Sequence, residues 1–284
     1  MDFHKHLFKA INISSTVITI AGCFLILYFG TRIFLFDTYP VNTGSMIPAI
    51  QPGDRIVTNK LLFGARLYKN LDFLKDGELQ TIRMKGIRGI NYNDVVVFNR
   101  AYPLTFDIQQ VYVKRCIGLP GDTIWIRDGI YKNSSVSDKV MSRHFPPFNP
   151  TFAPDSLIKQ YYPYKEALNW TIVHFGPFYM PRKGDRILLD QTNIWLYRRL
   201  MTYENGAEIR FEDNGVFLQD KPIQTYTFKE NYYFMAGDNF LNSGDSRTFG
   251  PIPETFIIGV VPFVLYARDP ESKKLDVKRI FKRL

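Results

Sequence analysis

Histidine is scarce in this 284-residue chain, which has four. His4 and His6 precede the first apolar run, which leaves His144 and His174 in a stretch dense with proline and aromatics. A Ser-His-Asp triad therefore has little to draw on. No G-x-S-x-G elbow occurs, and the S-x-x-K at Ser156–Lys159 lacks S-D-N or K-T-G partners, so it reads as a chance match. The two cysteines, Cys23 in an apolar run and Cys116 far downstream, have no ligand-spaced company. Neither a disulfide nor a zinc site is expected. Acid is short as well, with 27 Asp+Glu against 36 Lys+Arg and a net charge of +9. Such a balance suits an anionic membrane surface as well as nucleic acid. What is abundant is apolar: 45% hydrophobic and 15% aromatic residues exclude a disordered chain and allow a sizeable core.

One apolar run is long. Val17 to Phe36, VITIAGCFLILYFGTRIFLF, has about 20 residues and at ~1.5 Å each spans a ~30 Å hydrocarbon layer. Its one charge, Arg32, lies near an end and can snorkel. Lys5 and Lys9 precede the run without a matching basic cluster after it, which places the N-terminus in the cytoplasm and the bulk outside. No small-x-small site comes after it, so an uncleaved anchor is expected rather than a removed signal. Phe256 to Ala267 is too short to span, holds a proline, and suits strands.

Beyond residue 40 the chain punctuates itself with turn pairs followed by β-rich runs. Gly53-Asp54, Asn93-Asp94, Gly121-Asp122 and Gly184-Asp185 precede RIVTN, VVVF, TIWI and RILL. Short β-branched runs between turn signals predict an all-β fold, and plain turn chemistry accounts for most of these pairs. Residues 142–181 read as an irregular insertion, and 208–220 as a hairpin across Asn214-Gly215. In the basic tail SKKLDVKRIFKRL, Val277, Ile280, Phe281 and Leu284 share a helical face, which allows an interfacial helix or a solvated tail.

The informative serine is Ser45, in YPVNTGSMIPAIQPGD. Gly44 permits a tight turn, and Pro48 and Pro52 stiffen the chain beyond the serine. A rigid loop of this kind can present a hydroxyl and N–H groups to a carbonyl, although an ordinary surface turn describes these features better. Lys114 lies in VYVKRCIGLPGD, where alternation puts Tyr112, Lys114 and Cys116 on one face and Val111, Val113, Arg115 and Ile117 on the other. Burial there lowers an amine's pKa; a drop from ~10.4 to ~7.5 is roughly 4 kcal/mol and yields a usable general base. A lysine snorkelling to water is the plainer reading of these residues by themselves.

The segments 43–48 (TGSMIP), 93–98 (NDVVVF), 111–122 (VYVKRCIGLPGD) and 236–252 (AGDNFLNSGDSRTFGPI) resemble the motif boxes of bacterial type I signal peptidases. They occur in the same order after an N-terminal anchor; each is weak alone, and 123–230 matches only loosely. The resemblance implies a serine endopeptidase that removes signal peptides after small residues (A-x-A), with Ser45 as nucleophile and Lys114 as base. Ser45 N–H and the Thr43 hydroxyl would form the oxyanion hole, and Ser243 would orient the Lys114 amine. Asp245 with Arg247 would form a supporting ion pair, with Gly237 and Asp238 as further support. Met46, Tyr112 and Val113 would line the cleft. No metal or cofactor is implied. Two positions depart from the pattern: Asn42 stands where proline is usual, and Phe240 where arginine often follows GDN.

The implied fold is mainly β, one transmembrane helix followed by an all-β catalytic domain with an inserted smaller β or irregular region. The expected division is a cytoplasmic segment 1–12, an anchor 13–36, a catalytic β-domain 37–122 and 231–270, an insertion 123–230 and a basic tail 271–284. Expected partners are signal-peptide-bearing pre-proteins and membrane lipids, not nucleic acid, for a monomer. The alternative is an anchored β-domain that binds peptides or envelope proteins without cutting them. A basic nucleic-acid module is remote, since the charge is spread out and no binding motif accompanies it.

Overall fold

The computed structural model describes residues 2–69, 81–100, 107–142, 144–145, 161–163, 168–212 and 215–284. Ser156–Lys159 and Asn214 lie outside these. Helix α1 (Asp2–Gly30) continues as a π-turn, Thr31–Leu35. Within it, Asn12–Leu35 is 24 residues long with a mean hydropathy of 1.9, and its most apolar stretch is left unburied by the described residues. It is long and apolar enough to cross a membrane. The run ends one residue earlier than the sequence suggests, because Phe36 opens the first strand.

Strands β1 (Phe36–Pro40), β2 (Asp54–Asn59), β3 (Arg66–Tyr68), β4 (Thr81–Arg83), β5 (Val95–Arg100) and β6 (Asp107–Gly118) come after it, with helix α2 (Lys60–Phe63) following β2. Next are β7 (Thr123–Arg127), β8 (Ile130–Asn133), helix α3 (Asp138–Ser142), β9 (Phe175–Tyr179), β10 (Arg186–Leu188) and helix α4 (Asn193–Asn205). The chain closes with β11 (Ile209–Glu212), β12 (Gly215–Leu218), β13 (Lys221–Ile223), β14 (Thr225–Thr227), β15 (Tyr232–Ala236), helix α5 (Ser246–Phe249), β16 (Ile252–Pro253), β17 (Ile257–Arg268) and β18 (Leu275–Asp276). The main sheet runs β1-β2-β17-β5-β6-β15-β16, with β18 beside β17. Residues 123–230 contribute three small sheets, β8-β7-β9, β10-β14 and β11-β12-β13. The fold is mainly β, as the turn spacing predicts.

The four turn pairs are one device repeated. Gly53, Asn93, Gly121 and Gly184 all have φ between 68 and 94°, the left-handed region. The aspartate next in the chain accepts the N–H three residues back: Asp54 from Gln51, Asp94 from Asn91, Asp122 from Leu119 and Asp185 from Arg182. Each thus closes its own turn and releases the chain into a strand.

Two cores form on the main sheet. One joins Val96, Phe98 and Cys116 to the small sheets and α4; the other holds Met46, Ile50, Ile56, Val95, Val97 and Val264. Alternation along β6 works as read for Tyr112 and Val113, but Ile117 joins the same core as Cys116. The reason is a bulge: Phe234 pairs with Gly118 and Met235 with Cys116, so Ile117 is the extra residue.

The structure corrects three expectations. Part of the irregular stretch, Phe175–Tyr179, is a strand paired with β7. Helix α4 escapes a reading for few helices because its buried face includes the carboxylate Glu204. That group accepts from the hydroxyls of Tyr226 and Tyr232 and from the N–H groups of Lys229 and Glu230. The tail does not form a single amphipathic helix: only Val277–Arg279 make a short 3-10 turn, and most of its side chains stay exposed. It pairs with β17, and buried Arg279 grips Asp54 with Nε at 2.7 Å, a partner 225 residues away.

Candidate active site

Ser45 lies in the loop between β1 and β2, and Lys114 on β6, with β17 and β5 standing between β2 and β6 in the sheet. The loop crosses that distance because it is nailed to the second core: Val41, Met46 and Ile50 are buried there against Val95, Val97 and Val261. From the far side the segment after β15 holds it. Asn239 donates its N–H to the Ser45 carbonyl and its Nδ2 to the Gly44 carbonyl, both at 3.0 Å. Gly237 permits this approach, since a Cβ there would stand 2.5 Å from the Ser45 carbonyl oxygen and 2.1 Å from Ser243 Oγ.

Lys114 Nζ lies 2.7 Å from Ser45 Oγ and donates to the Val113 carbonyl at 2.9 Å. The lysine is 3% exposed. Burial lowers its pKa to about 8, against the opposing pull of Asp245 and Asp238. Behind it, the Arg247 guanidinium grips Asp245 through two bonds of 2.9 and 2.7 Å, both side chains fully buried. Burial pushes the Asp245 carboxyl up, but Arg247 and the Gly237 N–H outweigh it and hold the group below its ordinary value. Phe240, one of the two departures, covers Arg247 with its ring centroid at 4.6 Å and packs on Tyr131.

Thr43, Ser45, Tyr112, Val113 and Lys114 line a cleft of about 880 Å³. Met46 does not: it is wholly buried beneath the loop, where an apolar side chain holds Ser45 in place. Ser243 does not reach the Lys114 amine either. Its buried Oγ meets no partner in hydrogen-bonding geometry, although it sits near enough the Asp245 carboxylate to help keep that group ionised. Neither His144 nor His174 lines the cleft. Sequence reasoning missed two residues. Arg115 forms a fully buried pair with Asp238 at 2.8 and 2.6 Å and also donates to the Asn93 carbonyl. Asn239 is the second, and its place directly after Gly237-Asp238 was the available signal.

A serine hydroxyl against a desolvated amine, in an open cleft, is equipment for nucleophilic attack on a carbonyl. The class is a serine hydrolase on an antiparallel β fold. The family model for signal peptidase, peptidase S26, matches residues 13–266, and the chain belongs to that family. It is a serine endopeptidase that cleaves signal peptides from pre-proteins. The signal peptidase I of Buchnera aphidicola subsp. Baizongia pistaciae is 26% identical over 260 residues, covering 84% of this chain and 73% of its own length. That of Helicobacter pylori strain 26695 is 24% identical over 266 residues, covering 89% and 81%. A crystal structure of a signal peptidase I from Enterococcus faecalis covers 62% of this chain and 98% of its own at 20% identity, with a TM-score of 0.26.

Proposed function

We propose that Ser45 and Lys114 are the catalytic dyad, and that the contact of 2.7 Å between a buried amine and the hydroxyl is what carries this reading. The neutral amine accepts the hydroxyl proton as Oγ bonds to the scissile carbonyl carbon. Negative charge then moves to the carbonyl oxygen, where the Ser45 N–H and the Thr43 hydroxyl at the cleft rim receive it. The ammonium returns its proton to the departing amine. Water, deprotonated by the same lysine, frees the acyl group from Ser45. Asp245, Arg247, Asp238 and Gly237 keep the amine and the serine loop in register, and Ser243 acts through the Asp245 carboxylate. Tyr112 and Val113 contact substrate.

The substrate binds as an added strand along β6, and is cut after small residues of A-x-A type. Support comes from the edge itself: β15 pairs with β6 only from Arg115 to Gly118, which leaves Val111 to Lys114 facing the cleft. Asn12–Leu35 is the single membrane span, with the N-terminus cytoplasmic and the β-domain of 37–122 and 231–270, with its insertion, on the outer side. The chain acts as a monomer beside membrane lipids, with no part for nucleic acid.

The test is cleavage of a precursor carrying an A-x-A signal. Ser45→Ala and Lys114→Ala should each abolish cleavage with the fold intact, and the double variant should lose no more than either. Retention of more than about a tenth of the rate in Lys114→Ala would overturn the base assignment.

A further inference from the structure

Strand β1 is an outer strand of the main sheet, paired with β2 along one edge. Val41 continues that pairing by one residue: its N–H donates to the Asp54 carbonyl at 2.8 Å, and its carbonyl accepts from the Gly53 N–H at 2.9 Å. Backbone polar groups alternate in direction along an extended antiparallel edge, so those of Thr38, Pro40 and Asn42 face away from β2. Pro40 and Asn42 line one side of the cleft, and Val111 and Val113 of β6 line the other. The sheet is thus open along a seam between two strand edges. Every neighbouring pair from β1 through β2, β17 and β5 to β6 is antiparallel, so β1 and β6 run in the same direction. Donors are scarce on the β1 side. The Thr38 N–H already goes to Asp37 Oδ1 at 2.8 Å, and Pro40 has none. Asn42 is exposed, and among the described residues its N–H has no partner. It is also the second departure from the motif pattern, at a position where the usual proline would supply no donor.

We infer that Asn42 binds substrate through its backbone: its N–H donates to one carbonyl of the bound strand, on the signal side of the cut. The inference rests on the strand-addition reading of the cleft and on Asn12–Leu35 as a span. Strand β1 leads from the end of the apolar stretch to the serine loop. A precursor held in the membrane by its signal therefore enters the seam beside Phe36 and runs with β1 and β6 toward Ser45. Held at both edges, the strand cannot slide, and the bond to Asn42 sets which peptide bond reaches the serine.

The experiment uses the full chain in detergent and a soluble peptide with an A-x-A site. The peptide is unmodified or carries one thioamide, a weaker acceptor, at the second, third or fourth residue ahead of the cut. Against Asn42→Ala, which keeps the N–H, Asn42→Pro should raise KM about fivefold, the worth of one net hydrogen bond. At one of the three positions the thioamide should raise KM for the wild type and for Asn42→Ala, but add nothing further in Asn42→Pro. A thermal melt reports whether the proline variant folds; if it does not, replacing the Asn42 N–H by an ester oxygen supplies the same comparison. Equal KM for Asn42→Pro and Asn42→Ala would overturn the inference, as would thioamide costs that both variants share at every position. The absence of any thioamide cost in the wild type would refute strand addition itself, and the inference with it.

Discussion

At Lys114, burial has brought the amine's pKa from 10.5 down to about 8, and this has consequences of opposite sign for rate and stability. In its proposed role as base the amine must be neutral, so kcat/KM should rise about tenfold per pH unit below about 8 and level off above it. A plateau reached well below that pH would show that some other group takes the serine proton. For stability, the unfolded chain binds more protons than the folded one between pH 8 and 10.5, so the fold gains stability as pH rises through that window. Below pH 8 the cost of burying the charge is present in full. Lys114→Met, which removes it, should therefore stabilise the protein at pH 7 by on the order of 1–2 kcal/mol after the lost hydrogen bonds are counted. Urea unfolding of the variant should also lack the alkaline rise. The lysine itself was legible from its motif; its desolvation was not, since the groups that exclude water from it come from the Ser45 loop and the segment after β15.

The loop between β1 and β2 is the element that makes the site. Its turn chemistry reads directly from the sequence, because Gly53-Asp54 carries both the left-handed residue and the carboxylate that closes the turn. Its path does not. Met46 looks like a cleft residue beside the serine, yet its side chain is wholly buried in the second core and decides where the loop lies. Met46→Ala should cost on the order of 2–5 kcal/mol by leaving a cavity, and should lower kcat more than Met46→Leu, which refills it. A thermal melt and steady-state kinetics on a soluble peptide check this. If Met46→Ala lowered stability but left kcat untouched, the loop would be held by its contacts with Asn239 alone.

Across the whole molecule, the span and the β-domain are joined without slack. Strand β1 begins at Phe36, directly after the apolar stretch, and pairs with β2 over its full length, so the serine loop is fixed close to the end of the span. A chain beginning at Phe36 should fold and cut short soluble peptides, but lose most of its activity on membrane-held precursors unless lipid or detergent is supplied. Equal losses on both substrates would show that membrane proximity has no part in selecting the bond. The sequence by itself determined the features written in neighbouring residues: the apolar span, the four Asp-closed turns, the β-rich runs and the order of the motif boxes. Local backbone chemistry and hydropathy need no distant partner, so adjacent side chains suffice to specify them. Tertiary structure alone decided that Met46 packs inward, that Ser243 faces Asp245 rather than Lys114, and that the basic tail returns to β17 with Arg279 on Asp54. It alone also brings Ser45 to a lysine on the far side of two intervening strands. Each of these depends on groups remote in the chain, and both desolvation and ion pairing are set by the surroundings that the assembled sheet creates.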